Sequence, residues 1–347
     1  MRESLQFCQR CWLPSSYPKI TFDKKGICNA CREIEQKWGT PPKPKGLPKL
    51  KEFLKEVVSP DAQFQAVVTV SGGKDSSYVL YLAVRVLKLR VMAANFDHGF
   101  QSEIARDNLK KITEQLKVPL MIFRSPQSAL NKIYCKFWLD TGDFCTPCCS
   151  GCRASGFYVA RAVNTNLILH GGIGGSPYAF NVLGFLNHSY GRYLKYGRGA
   201  ETDLMVESLA VKDEEQKPFV LVSLPQYLDW QDKKVLSEIK NKLGWEARER
   251  VYHADCLVDP ASDFYLIKKF GFSKAWMYTS MLLRTGQITK KQALKHLESE
   301  LPEPRKELNL FRNKVLKPQG ITSKLGKYQK KSIYNDLKKW LTTVENG

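Results

Sequence analysis

Three features predict an α/β protein with a doubly wound parallel sheet, flanked by an N-terminal zinc ribbon and a C-terminal helical region. Short β-branched and apolar runs alternate with helix-period stripes across residues 61–260, the pattern of parallel strands joined by helical crossovers. The first run, Val67-Val68-Thr69-Val70, leads directly into Ser71-Gly72-Gly73-Lys74-Asp75-Ser76 and then a helical stripe at Val79, Leu82, Ala83 and Val86. Two Cys-x2-Cys pairs stand ahead of the alternating region. The chain has 347 residues, enough for one large domain or several smaller ones.

Residues 1–40 hold Cys8-x2-Cys11, sixteen intervening residues and Cys28-x2-Cys31. Each pair can present two thiolates to one ion, and two such knuckles complete a tetrahedral site. The ribbon reading expects a strand at Ile20-Thr21-Phe22 and a turn at Asp23-Lys24-Lys25-Gly26. A filled ligand set makes this Zn²⁺ structural, with no open position for catalysis. Residues 41–60 read as a linker and a short helix. Four prolines and one glycine in nine positions from Pro41 to Lys49 exclude helix and central strand, and the helix is expected from Leu50 to Val58.

The strand, glycine turn and helix at residues 66–86 make a phosphate cradle. Two glycines let the backbone turn tightly and present N–H groups to an anion. The helix N-terminus adds the positive end of its dipole. Lys74 supplies a point charge, Ser71 and Ser76 supply hydroxyls, and Asp75 offers a carboxylate to Mg²⁺. The spacing is not the GxxxxGK[ST] of a Walker A loop.

Val91 to Phe96 is the second strand, and its tip places Asn95 and Asp97 on the adenosine side of a bound nucleotide. The stripe Ala105, Leu109, Ile112 and Leu116 marks a core helix. Leu120 to Phe123 is the third strand. Leu167 to Leu169 is the fourth, ending in His170-Gly171-Gly172-Ile173-Gly174-Gly175. Sites in such sheets lie at the carboxyl ends of the strands, so both glycine-rich ends should face one crevice, with Gly171 and Gly172 in the nucleotide site. His98 and His170 read as hydrogen-bonded turn residues, with a base or ligand role as the alternative. Phe219 to Val222 is a fifth strand, and Gln231 to Leu243 a helix.

Between the third and fourth strands lies Cys145-Thr146-Pro147-Cys148-Cys149-Ser150-Gly151-Cys152-Arg153. Four cysteines in eight residues are too dense for packing alone. Joined by Cys256 of His253-Ala254-Asp255-Cys256, they suit a second metal site, zinc or a [4Fe–4S] cluster with an open iron. A persulfide-carrying thiol, activated by Arg153 or a helix N-terminus, is the other reading. A helix is expected from about Gly151, with Cys148 to Cys152 at its positive end, and Cys135 reads as core. Tyr190, Tyr193 and Tyr196 alternate with Arg192, Lys195 and Arg198 without clear period, a loop facing substrate or RNA, or plain surface.

Residues 261–347 form the helical region. It has helices across residues 263–300, a capping box at Thr289 and Gln292, a basic run from Glu303 to Lys331, and a last helix from Ser332 to Val344. The formal charge of +20 suits a polyanionic partner or a solvated basic surface. No run of 18 apolar residues occurs and the first residues lack an apolar signal core, so no membrane association is expected and the compartment is read as cytoplasmic. Ten cysteines there mean metal or redox chemistry rather than a disulfide frame.

Strand-SGGKDS-helix resembles the signature of the ATP-pyrophosphatase (PP-loop) superfamily, which shares the adenine nucleotide alpha-hydrolase-like fold. Over most of its length the chain resembles the N-acetyl sugar amidotransferases of bacterial surface-polysaccharide and nonulosonic-acid biosynthesis. The likeness rests on Cys8 and Cys11, then Pro18-Lys19-Ile20-Thr21-Phe22-Asp23 and Gly26-Ile27-Cys28-Asn29-Ala30-Cys31. It continues in SGGKDSS, Cys145-Thr146-Pro147-Cys148 with Cys152, Lys269-Phe270-Gly271-Phe272 and Arg284-Thr285-Gly286-Gln287-Ile288-Thr289. The resemblance implies a PP-loop domain over residues 61–260 in which Lys74, Asp75 and Ser76 serve catalysis. It implies ATP-driven adenylation of the N-acetyl oxygen of a free or nucleotide-linked sugar, then displacement of AMP by ammonia to leave an acetamidino group. Ammonia would come from separate glutaminase and cyclase-like subunits. Gly171-Gly172-Ile173-Gly174-Gly175 departs from the Gly-Glu-Asn-type end common in that family. The dense cysteines are similar to those of the tRNA-thiolating branch, which makes sulfur transfer to tRNA or a small molecule the alternative. A zinc-ribbon nucleic-acid-binding protein that only senses ATP is the reading from a different class.

Overall fold

The structure, a computed structural model, describes residues 5–179, 181–183, 190–199, 203–247, 255–300, 303–322 and 330–345. Its centre is a sheet of β1 (Ala66–Thr69), β2 (Val91–Asp97), β3 (Leu120–Arg124), β4 (Leu167–His170) and β5 (Val220–Ser223). The strands are parallel and run in the order β3-β2-β1-β4-β5. The chain winds outward from β1 to β3, then returns past β1 to build the other half. The resulting switch point lies between β1 and β4, where α/β sheets open a crevice beyond the strand ends.

Side-chain alternation divides the apolar strand residues between two faces. Val68, Ala93 and Leu169 pack with the helices Lys74–Tyr81, Glu103–Leu116 and Asp232–Leu243. Val67, Met92, Ala94 and Ile168 pack on Ala154, Phe157 and Ala160 of the helix Cys145–Ala162. That helix approaches closely because Gly151 and Gly156 face the sheet. A Cβ on Gly151 would lie 2.4 Å from the Phe96 ring, and one on Gly156 2.8 Å from Thr69 Cγ2.

Four expectations change. The cysteine-rich helix starts at Cys145, not near Gly151, so Cys148, Cys149 and Cys152 sit inside its first turns. Pro147 is tolerated there because N–H groups of a first turn have no intrahelical partner. Asp143 accepts from Cys145 N at 2.8 Å and from Thr146 Oγ1 at 2.7 Å, fixing the start. The linker gives way earlier than expected, with the helix Leu47–Val57 carrying Pro48 in its first turn. No strand forms at Ile20 to Phe22; Phe22 makes one isolated bridge to Cys28, and Asp23 Oδ1 closes the turn by accepting from Lys25 N and Ile27 N. Tyr190–Gly197 is a helix, not a loop. Its Tyr193 is fully buried and stacks on Phe137 at 5.6 Å.

The helices Asp259–Phe270, Lys274–Arg284, Lys290–Ser299 and Lys330–Glu345 form the C-terminal region. The Thr289–Gln292 capping box is present. Phe7 and Trp12 pack with Trp276, Ile333 and Leu337, so the N-terminal segment and these helices share a core. Within the basic run, Lys324 and Lys327 lie outside the described residues, as do His253 and Ala254. No described helix is long and apolar enough to cross a membrane.

Candidate active site

The loops after β1 and β4 open on one cavity of about 790 Å³. Gly72 turns the first loop with φ of 80°, and a Cβ there would stand 2.0 Å from the Ala105 carbonyl oxygen. A Cβ on Gly73 would lie 3.1 Å from the Asp255 carboxylate. Gly72 therefore needs glycine for both torsion and space, and Gly73 is held tight against Asp255. Ser71 Oγ and Ser76 Oγ are 3.2 Å apart, and Ser76 Oγ also accepts from Ser71 N at 3.1 Å. Gln101 Nε2 and Trp245 Nε1 donate to the Ser71 and Gly72 carbonyls at 2.7 and 2.9 Å, holding the loop from behind. On the β4 side, a Cβ on Gly171 would meet the Asp75 backbone at 3.0 Å. That glycine lets the two loops touch.

Lys74 is only 7% exposed. Its Nζ donates to Asp75 Oδ1 and Asp232 Oδ1, each at 2.9 Å. Burial works to lower its pKa, but the two carboxylates outweigh that and hold the ammonium above its ordinary value. Burial pushes the Asp232 carboxyl up, opposed by Lys74. Trp230 Nε1 donates to Asp75 Oδ1 at 2.7 Å, and the Tyr278 ring lies 5.8 Å from Lys74 Nζ. A cation packed among two acids and two rings is preorganised to meet a polyanion.

Cys145, Cys148, Cys149, Cys152 and Cys256 also line the cavity. Lys274, 4% exposed, ion-pairs with Asp259 and donates to Cys145 Sγ at 3.4 Å. Burial pushes the Cys145 thiol up to about 11, against the opposing pull of Lys274. Hydrogen bonding of the Cys148 thiol to Cys152, then burial, push Cys148 up. Among the described residues, no three of these sulfurs lie within 4.8 Å of one another, so the five thiols share a wall without standing at metal-ligand spacing. Arg153 also lines the cavity.

The remaining candidates fall as follows. Asn95 is buried and donates to the Val70 carbonyl at 2.7 Å. Asp97 accepts from Arg124 Nε at 2.8 Å and Gly99 N at 3.0 Å. Neither lines the cavity; β2 contributes Ala94 and Phe96, with His98 just beyond it. Gly171, Gly172 and His170 do line it. His170 Nδ1 accepts from Gly172 N at 3.1 Å, and burial, then Arg153, hold the imidazole down at about 4, neutral at pH 7. Asp232, Asp255, Asp259, Lys274 and Tyr278 are cavity residues that sequence reasoning missed. Each follows the loop by more than 150 positions and belongs to no recognisable spacing pattern. Only Asp232 and Asp259, acids that open helices, leave a trace.

Cys8, Cys11, Cys28 and Cys31 are all fully buried, with four Sγ atoms within 4.8 Å of one another. The pairs Cys8–Cys31 and Cys11–Cys28 stand 3.9 and 3.7 Å apart. Metal–sulfur bonds of about 2.3 Å put tetrahedral sulfurs roughly 3.8 Å apart, so the donor set and its spacing fit one metal ion. Cys28 N and Cys31 N donate to Cys8 Sγ and Cys28 Sγ at 3.3 and 3.4 Å, which favours thiolates.

Residues 46–134 match the PP-loop domain family, and residues 249–330 match the family described as LPS biosynthesis protein WbpG-like, C-terminal domain. An uncharacterized protein of Methanocaldococcus jannaschii is 27% identical over 306 residues, spanning 84% of this chain and 92% of that protein. Among solved structures, the U34-tRNA thiolase NcsA of Methanococcus maripaludis, with its [4Fe–4S] cluster, is similar over 94% of this chain and 93% of its own. The identity is 13% and the TM-score 0.38, too distant to carry an argument.

Proposed function

The chain belongs to the PP-loop ATP pyrophosphatases of the N-acetyl sugar amidotransferase type, and from that membership we propose that it converts the N-acetyl group of a sugar to an acetamidino group at the cost of ATP. One observation carries this reading. The PP-loop region supplies Ser71, Gly73, Lys74, Asp75 and Ser76, and the WbpG-like region supplies Asp259, Lys274, Tyr278 and Met281, to the same cavity. A substrate held by the second region therefore faces a nucleotide held by the first.

In the proposed reaction the amide oxygen attacks the α-phosphorus of ATP and pyrophosphate leaves. Ammonia then adds to the activated carbon, and AMP leaves with the former amide oxygen. Mg²⁺, when bound, neutralises the triphosphate and the departing pyrophosphate. Lys74 and the loop N–H groups bind the same charge, with Ser71 and Ser76 orienting the phosphates. Asp75 and Asp232 hold Lys74 in place, and their carboxylates would hold the metal. Zn²⁺ is the proposed occupant of the N-terminal thiols. Ammonia is proposed to come from a glutaminase with a cyclase-like partner, and the product to enter surface-polysaccharide synthesis.

Sulfur transfer to tRNA or a small molecule is the second reading, favoured by the five thiols that line the same cavity as the ATP loop. The test uses protein prepared without air and given Mg-ATP with a nucleotide-linked N-acetyl sugar, then ammonium or sulfide. Pyrophosphate release that requires both sugar and ammonium, with a product mass showing oxygen replaced by NH, is expected. Turnover with sulfide alone, or modification of bound RNA, would replace this reading with the second.

A further inference from the structure

β4 ends on His170, which is half-buried and lines the cavity. Alternation along the strand puts its side chain on the face of Ile168, towards the helix Cys145–Ala162. The register Val67↔Ile168 and Val68↔Leu169 sets His170 beside Thr69, one strand spacing of about 4.8 Å away. Thr69 stands two residues before Ser71, so the ring lies next to the phosphate loop. The two backbones meet there as well, since Gly171 packs on Asp75.

The ring is held in one orientation. Its Nδ1 accepts from Gly172 N at 3.1 Å, and a Cβ on residue 172 would stand 2.9 Å from that nitrogen. Ser223 Oγ donates to the Gly172 carbonyl at 2.6 Å, fixing the same peptide unit from β5. A ring nitrogen that accepts carries no proton, so the proton of the imidazole sits on Nε2. Nε2 has no acceptor among the described residues. The neighbouring strand-end side chains in the cavity, Ala94, Phe96, Ile168 and Leu221, offer none. An N–H in an apolar wall costs free energy until an acceptor meets it, and here a ligand has to bring that acceptor.

We infer that His170 is a catalytic residue of the adenylation step, whose Nε2–H donates to a non-bridging oxygen of the ATP α-phosphoryl group. The inference rests on reading residues 71–76 as the ATP site. That loop takes the pyrophosphate end, and the acceptor fills the apolar part of the cavity. The α-phosphorus exchanges one for the other, so it lies between them, where His170 stands. Charge gathers on its oxygens as the amide oxygen adds and pyrophosphate departs. A donor already oriented by Gly172 and Ser223 stabilises that charge without reorganising. This role is the same whichever nucleophile then displaces AMP.

Two substitutions separate the ring nitrogens. Asn places an acceptor where Nδ1 stands and nothing at Nε2, whereas Gln places an N–H where Nε2 stands. The full chain, His170→Asn and His170→Gln are compared by thermal melting and by pyrophosphate release. Equilibrium binding, which needs no acceptor, is measured with Mg-ATP and with the two ATP diastereomers carrying sulfur at the α-phosphorus. His170→Asn is expected to melt like the wild type yet release pyrophosphate about a hundredfold more slowly, the usual loss for one preorganised donor. His170→Gln should recover most of the rate. Sulfur accepts hydrogen bonds weakly, so the wild-type chain should bind one diastereomer roughly tenfold more weakly than the other, the scale of a hydrogen bond to a charged group. His170→Asn should lose most of that discrimination. Unchanged discrimination or a wild-type rate in His170→Asn overturns the inference. So does a loss confined to His170→Gln, which would leave His170 only its contact with Gly172. Should His170→Asn melt early, nitrogen NMR of the wild-type ring decides. A proton on Nε2 whose resonance moves when Mg-ATP binds supports the role, and a proton on Nδ1 or an unmoved resonance overturns it. A wild-type chain that binds Mg-ATP without discriminating the diastereomers keeps the ATP reading and loses this inference alone. One that binds no Mg-ATP loses both.

Discussion

Lys74 has a structural and a chemical task, and substitution can separate them. Its ammonium lies between Asp75 and Asp232 with 7% exposure. Lys74→Met would leave Asp232 buried without its cation, costing about 3 kcal/mol, the low end for a broken buried pair, because Asp75 remains reachable by water. Asp232→Asn added to that variant removes the stranded charge. The double variant is therefore expected to regain part of the lost melting temperature. Pyrophosphate release should stay at least about a hundredfold down, as expected when a preorganised charge is removed. Thermal melting and a pyrophosphate assay on the single and double variants check this. Recovery of turnover in the double variant would mean that Lys74 acts only on the fold. The site was half legible in the sequence for a physical reason. Lys74 and Asp75 are consecutive on a glycine turn, whereas Asp232 joins them from 158 positions away. Such an ion pair leaves no mark on local composition.

At the level of elements, the helix Cys145–Ala162 decides where the thiols stand. It lies on β1 and β2 because Gly151 and Gly156 present no side chain to Phe96 and Thr69. Gly151→Ala would drive a methyl to within 2.4 Å of the Phe96 ring. Phe96 is 2% exposed and cannot swing into solvent, so the helix must shift. Overpacking of this kind costs about 1–3 kcal/mol. The shift should also change the modification rates of Cys148 and Cys152 by a thiol reagent. Measuring the melting temperature together with those rates tests the packing. An unchanged melt and unchanged rates would show that the helix already stands off the sheet. The strands were readable because β-branched runs between turn residues have few other uses. The start of this helix was not, since Pro147 within a cysteine run looks like a breaker until Asp143 is seen accepting from Cys145 and Thr146. Tyr190–Gly197 escaped for a related reason. Its Tyr193 is buried against Phe137, an element contact that its own aromatic and basic residues do not announce.

On the scale of the whole molecule, the N-terminal segment is built into the C-terminal helices. Phe272 and Met277 are fully buried with the four cysteines, and Trp276, 2% exposed, stacks on Phe7 at 6.0 Å. These contacts join residues more than 240 positions apart, which is why two Cys-x2-Cys pairs and a proline-rich stretch read as a separable module. Deleting residues 5–40 would uncover Phe272, Trp276 and Met277 together. At about 1.5–3 kcal/mol for each large apolar side chain returned to water, the loss is on the order of 5 kcal/mol or more. That is a large part of the roughly 5–15 kcal/mol that holds a domain folded. The exposed face would also be a contiguous apolar patch of the kind that drives association. The shortened chain is expected to bind a hydrophobic dye, to associate on a sizing column and to melt without a sharp transition, even though the whole sheet and the ATP loop remain in its sequence. A monomeric shortened chain that melts cooperatively at the full chain's temperature would show that the segment is a separable appendage.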